Sequence, residues 1–308
     1  MFTKMNRWQR LGIGVGIVLV VLIVGFTIVI RAANTWGATP AEVAKSLPGD
    51  ELVSDPYVSW DNAVTINAPL EQVWPWIAQI GDDRAGYYSY MFIEKAVTRL
   101  LMPGADVSTY YNNADRIHPE WQNPALGKTM IADMLKLTAY EPNRYLLSSV
   151  ADGEFHWIWG WYLEAVDADH TRLHVRTRLQ VPAEARNAMV TFAFSGGGFV
   201  MEQNMIQGIV QRAEGRGEPA NIETFEIILW LAALVAGLVA AAEFVFGRGE
   251  LKALGVGLAV VVELFVITYV QPAIWLRVAF DLLLWAGAAW ALRRPSKANL
   301  AQLVKQAA

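Results

Sequence analysis

The sequence predicts an α+β domain, a curved antiparallel sheet closing on a long C-terminal helix, set between four transmembrane α-helices, one N-terminal and three C-terminal. Three observations predict it. Short alternating stretches separated by turn residues run from about 128 to 181, hairpin after hairpin, which is the pattern of an antiparallel sheet. A strand passing directly into a helix precedes them, and an amphipathic stretch, Gly198–Gly215, follows them. Uncharged runs stand at both ends, and ~20 residues at ~1.5 Å each span a hydrocarbon core of ~30 Å.

The N-terminal run is 11–30, LGIGVGIVLVVLIVGFTIVI. A cleaved signal peptide would carry an apolar stretch of only ~7–15 residues, so the length reads as a retained anchor. The C-terminal runs are Phe225–Phe246, Ala253–Val270 and Ala273–Leu292. Lys4, Arg7 and Arg10, then Arg248 and Lys252, then Arg293, Arg294 and Lys297 all fall on one side if the chain crosses four times. The expected topology in a bacterial cytoplasmic membrane therefore has cytoplasmic termini and an extracytoplasmic middle domain. Within the spans lie Glu243, Glu263, Arg277 and Asp281. Arg277 and Asp281 are one helical turn apart, and Glu263 lies at similar depth on the preceding span. The expectation is an intramembrane ion pair joining Glu263, Arg277 and Asp281, with a proton or ion path as the alternative.

Between the spans, 32–57 mixes Pro, Gly and charge and reads as a tether. In the strand Val58–Asn67, Val64 and Ile66 alternate with Thr65 and Asn67. Asn67 or Ala68 should cap the next helix, with Pro69 in its first turn and Pro75 kinking it before Ile80. A second helix is expected at Tyr90–Leu101, then an irregular excursion over 103–126. Strands follow at Lys128–Asp133, Leu135–Tyr140, Arg144–Val150, Glu154–Glu164 and His170–Val181. On the fourth of these, Phe155, Trp157, Trp159, Trp161 and Leu163 share one face. On the last, Leu173, Val175, Thr177 and Leu179 face inward, leaving Arg172, His174, Arg176 and Arg178 on an exposed face. Gly196-Gly197-Gly198 reads as the entry to the last helix. The domain map is then 1–31 anchor, 32–57 tether, 58–214 folded domain, 215–224 linker, 225–292 three spans and 293–308 cytoplasmic tail.

Four stretches carry a resemblance: INAPLEQVWPWIAQIG (66–81), GYYSYMFIE (86–94), RIHPEWQ (116–122) and FVMEQNMIQGIVQRAE (199–214). With them, residues of about 58–214 resemble the START-like (SRPBCC) superfamily, which includes the Bet v 1-type, polyketide cyclase/dehydrase and lipid-transport proteins. The lead-in WGAT…LPGDEL (36–52) is similar to that of a membrane-anchored bacterial subgroup. The resemblance implies a helix-grip fold. It points to no single function, because the fold hosts both binders and enzymes.

Composition narrows the function. A net charge of −4 with no basic run interleaved with aromatics argues against nucleic acid. The absence of cysteine removes disulfides, thiolate metal sites and a Cys nucleophile. The four histidines show no metal-ligand spacing, and neither G-x-S-x-G nor a P-loop occurs, so neither metal nor cofactor is expected. The best polar cluster is Asp82, Asp83, Arg84, Tyr87, Tyr88 and Tyr90 with Asp115, Arg116, His118, Glu120 and Trp121. Tyr88 as donor, His118 as base and Glu120 are the catalytic candidates; structurally, the same residues would cap, pair and pack.

A sheet wrapped around a helix encloses space, and thirteen tryptophans suit an aromatic-lined interior. Its expected lining is Trp74, Tyr87, Tyr88, Tyr90, Trp121, Trp157, Trp159, Trp161, Met201 and Met205. The expected function is a membrane-anchored domain binding a hydrophobic small molecule or lipid. The alternatives are a cyclase/dehydrase-type enzyme, and a structural or regulatory module whose pocket is vestigial.

Overall fold

The computed structural model describes residues 4–90, 92–93, 95–96, 99, 114–131, 134–217, 222–247 and 250–293. Phe26–Glu223 forms one compact unit and the rest of the chain a second. The expected helix Tyr90–Leu101 and the first part of the excursion fall largely outside the described residues.

The domain is built on six antiparallel strands in the order β1-β6-β5-β4-β3-β2: β1 (Val58–Ile66), β2 (Thr129–Ile131), β3 (Leu135–Glu141), β4 (Tyr145–Asp152), β5 (Phe155–Ala165) and β6 (Thr171–Gln180). The alternation read from the sequence sets the two faces. Leu146, Trp161, Val175 and Ile66 are buried in the core beneath the C-terminal helix. Ile158 and Leu147 point to the opposite face, where Val53 covers them.

That outer face is not exposed as expected. Residues 34–52, including the short helix α2 (Pro40–Ala44), lie against it instead of running as a free tether. Backbone N–H groups of Asp61 and Ala63 donate to the carbonyls of Asn34 and Trp36, which closes the β1 edge of the sheet. Arg176, fully buried, donates to Asp61 and Asp50 and to the carbonyls of Glu42, Val43 and Lys45. His174 bonds Asp61 at 2.8 Å and is itself buried. The row of charged outward residues is thus the fastener for the lead-in segment: Arg172 holds the Glu42 carboxyl through two hydrogen bonds and brings it down to about 2.

On the inner face lie α3 (Leu70–Ala78) and the C-terminal helix. Pro69 takes the N-cap position of α3 without a side-chain cap bond, and Asn67 is tied elsewhere: its N–H and Nδ2 both donate to Glu214. Pro75 sits within the helix without ending it. The C-terminal helical run starts ten residues before Gly198. Asn187 Oδ1 accepts from the N–H groups of Met189 and Val190 to start α4 (Ala188–Thr191), and a π-helical turn, Phe192–Gly198, leads into α5 (Phe199–Ala213). The triple glycine is inside this run, and Gly198 lies against the Trp60 ring.

Among the described residues four helices are long and apolar enough to cross a membrane: α1 (Arg7–Ala33), α6 (Ile222–Phe246), α7 (Leu251–Phe265) continued by a π turn to Val270, and α8 (Ile274–Leu292). Among the described residues the ion pair expected of Glu263, Arg277 and Asp281 is not formed. Arg277 bonds Glu226 Oε1 at 2.5 Å and the Pro272 carbonyl at 2.8 Å. The carboxylates of Glu263 and Asp281 are buried without a hydrogen-bond partner among the described residues.

Candidate ligand-binding site

Strand register assembles the site. On the inner face, Ser148, Trp159, Thr177 and Trp60 stand directly opposite one another across β4, β5, β6 and β1. The next row is Leu146, Trp161, Val175 and Asn62. Polar and indole side chains therefore cross the middle of an otherwise apolar sheet face.

Glu202 of α5 descends onto this row. Its Oε1 accepts from Trp60 Nε1 at 3.0 Å and Asn62 Nδ2 at 2.7 Å, and its Oε2 from Trp159 Nε1 at 3.1 Å and Thr177 Oγ1 at 3.4 Å. The carboxylate is 3% exposed, and four donors from three strands fill its lone-pair sites. Burial raises its pKa to about 7 against the pull of those four donors. Glu202 was not among the residues expected from sequence. The signal was present, since it falls on the apolar stripe Phe199, Ile206, Ile209 and Ala213, and since Asn62 and Thr177 take inward positions.

The expected lining divides into groups. Trp157, Trp159 and Trp161 are buried on the inner face as their alternation implies, and Trp159 meets Trp161 edge-on at 5.2 Å. Phe194 of the π turn packs edge-on against Trp157 at 5.6 Å, and Tyr87 lies 6.5 Å from Trp159. Met205 joins the same core. Trp74 stacks on Tyr140. Tyr90 is buried beside Phe92, and the Met201 carbonyl accepts from Ser89; neither is a member of the core cluster that holds the three indoles.

The catalytic candidates gather elsewhere. Gln79 holds the loop at His118, its Oε1 accepting the His118 N–H and its Nε2 donating to the Arg116 carbonyl, both at 3.0 Å. His118 Nδ1 is 3.3 Å from Glu120 Oε1, the ring stacks on Trp121 at 4.1 Å, and buried Nε2 has no partner among the described residues. Tyr88 is committed. Its hydroxyl donates to the Trp76 carbonyl at 2.9 Å, its ring lies under Arg212, and burial raises its pKa. A neighbouring surface cleft of about 400 Å³ is bordered by Trp76, Ile117 and Arg212.

No group of three or more acidic or histidine side chains suited to a metal occurs among the described residues. No family model matches the chain, and no curated protein does. Among solved structures, a norcoclaurine synthase point mutant of Thalictrum flavum is 11% identical over 52% of this chain and 95% of its own, with a TM-score of 0.29. The di-domain ARO/CYC protein BexL is 13% identical over 55% of this chain and 53% of its own, with a TM-score of 0.27. A polyketide cyclase-like protein of Corynebacterium glutamicum is 16% identical over 55% of this chain and 94% of its own, with a TM-score of 0.23. At these scores the alignments add nothing to the strand order and the position of α5. By that order, with α5 gripped by the inner sheet face, the domain has the α+β, helix-grip arrangement.

Proposed function

We propose that the START-like domain binds a hydrophobic small molecule or lipid between the inner sheet face and the α4–α5 helical run, and that the flanking apolar helices hold it at a membrane. One observation carries this reading: three indoles in a row on β5 lie beneath a helical run interrupted by a glycine-rich π turn. Sheet-to-helix packing is met by aliphatic side chains, as Leu173, Ile206 and Ile209 show here. Indoles add broad apolar walls with a polar edge, which suits a guest buried at ~25 cal/mol per Å². The π turn gives that guest a way in, since such turns mark points where a helix yields and sit often at functional sites. Tethering to spans would keep the domain at high effective concentration near its own membrane.

Native mass spectrometry of the full chain released from detergent tests this. The expected spectrum carries a stoichiometric adduct of lipid or small-molecule mass that unfolding releases. Protein that is consistently empty contradicts the proposal and favours the vestigial-pocket alternative.

A second reading, turnover of the cyclase/dehydrase type, is favoured by His118 alone. A carboxylate beside Nδ1 with Nε2 unpartnered is the geometry of an oriented general base. The commitment of Tyr88 to the Trp76 carbonyl leaves that base without the expected donor.

A further inference from the structure

Among the described residues, the buried side chains of α6, α7 and α8 include three acids, Glu226, Glu263 and Asp281, and one base, Arg277. Arg277 is committed to Glu226 and to the Pro272 carbonyl. Glu263 and Asp281 are 6% and 5% exposed, and all four of their carboxyl oxygens lack a hydrogen-bond partner among the described residues.

The α7–α8 hairpin brings these two acids to one level. Lys252 Nζ donates to the Arg293 carbonyl at 3.2 Å, and a Cβ at Gly287 would lie 3.4 Å from Val256 Cγ2. These contacts fix an antiparallel register. From Val256 seven residues along α7 lead to Glu263, and from Gly287 six residues back along α8 lead to Asp281. Both then stand about 10 Å from the connecting loop, at ~1.5 Å per residue, and their charges act on one another. The π turn Val266–Val270 begins three residues beyond Glu263, and such interruptions of a helix sit often at functional sites.

Charge then selects what the pair can hold. Arg277 lies one turn before Asp281 but belongs to Glu226, and Tyr269 stacks on Phe265. Glu243, Glu250 and Lys252 lie toward the opposite ends of α6 and α7. A hard metal cation is poorly served, since calcium takes about 6–8 oxygens and two carboxyl groups offer fewer. No group of three or more acidic or histidine side chains suited to a metal occurs among the described residues. A carboxylate stripped of water beside another carboxylate takes up a proton sooner than stay charged.

We propose that Glu263 and Asp281 form a proton-binding site within the apolar helices, the pair holding an exchangeable proton. The proposal is independent of the ligand site in the folded domain and rests on α7 and α8 lying in the membrane, where ionisable side chains mark functional sites.

The test is labelling of the full chain in phosphatidylcholine vesicles with dicyclohexylcarbodiimide, mapped by peptide mass spectrometry. This reagent dissolves in hydrocarbon and adds to a carboxyl group only in its protonated form. Label is expected on Glu263, Asp281 or both, falling as the pH is raised and unchanged by sodium at fixed pH. Glu263→Gln is expected to lower labelling of Asp281 about tenfold, because the facing acid is gone and the amide donates to the remaining carboxylate. Asp281→Asn, read at Glu263, serves if the first variant does not fold, and the pH and sodium series on the unmodified chain need neither variant. Label on neither residue at any pH, labelling indifferent to pH, or protection by sodium overturns the proton site. Labelling of one acid that ignores substitution of the other overturns the pairing.

Discussion

At the scale of single residues the account turns on Glu202, where a titratable carboxyl is buried among four donors. Glu202→Ala would strand the buried N–H groups of Trp60, Asn62 and Trp159, each costing about 1–3 kcal/mol. A total loss of about 3 kcal/mol or more is expected in denaturant melts of the detergent-solubilised chain. The same residue gives the domain a pH signature. Its folded pKa, about 7, lies above the ordinary 4.5, so the folded state holds the extra proton. Its stabilising share is full below about pH 4.5 and is lost as pH rises through 7, a change of about 3 kcal/mol. Melts between pH 5 and 8 should show this slope in the unmodified chain and lose it in Glu202→Gln. A slope unchanged by that substitution would assign the titration elsewhere. Single residues were the least legible level of the sequence. The inward parity of Trp157, Trp159 and Trp161 followed from alternation alone, but the meaning of Glu202 depended on β1, β5 and β6 being neighbours, a non-local fact.

At the scale of elements, strand alternation was legible because one face of each strand is apolar and a one-residue slip would expose it. The caps and breaks were not. Three consecutive glycines read as a helix boundary on propensity, yet the run from Ala188 to Ala213 continues through them because Asn187 starts it early and Gly198 packs on Trp60. The outer face misled for a related reason: Arg172, His174 and Arg176 look like a solvated stripe until the lead-in segment 34–52 is laid over them. The π turn yields a direct test. A Cβ at Gly197 meets no atom within 4 Å, so Gly197→Ala is sterically free. It is expected to stabilise the helix by about 0.5–1 kcal/mol and to slow exchange of a bound apolar probe in stopped-flow fluorescence. Unchanged exchange with raised stability would remove the π turn from the path of entry.

At the scale of the whole molecule, the sequence announced the apolar helices through length and lack of charge, the most robust of all sequence signals. It did not announce which charges pair inside them. Arg277 takes Glu226, one residue into the expected span, and not the acids nearest it in sequence and depth. Arg277→Met should cost about 3–5 kcal/mol by taking the buried cation away from the Glu226 carboxylate, and Glu226→Gln/Arg277→Met should recover most of it in detergent melts. A double variant no better than the single one would show that Arg277 acts through another group.

The central claim is that an apolar guest enters the space between β5 and the α4–α5 run. A long-chain methyl ketone bearing a photoreactive diazirine on its tail, irradiated with the full chain in membranes and mapped by peptide mass spectrometry, measures this most directly. The account expects label on the peptides of 155–165 and 192–213, suppressed by excess unlabelled ketone. Label confined to the four apolar helices would contradict it.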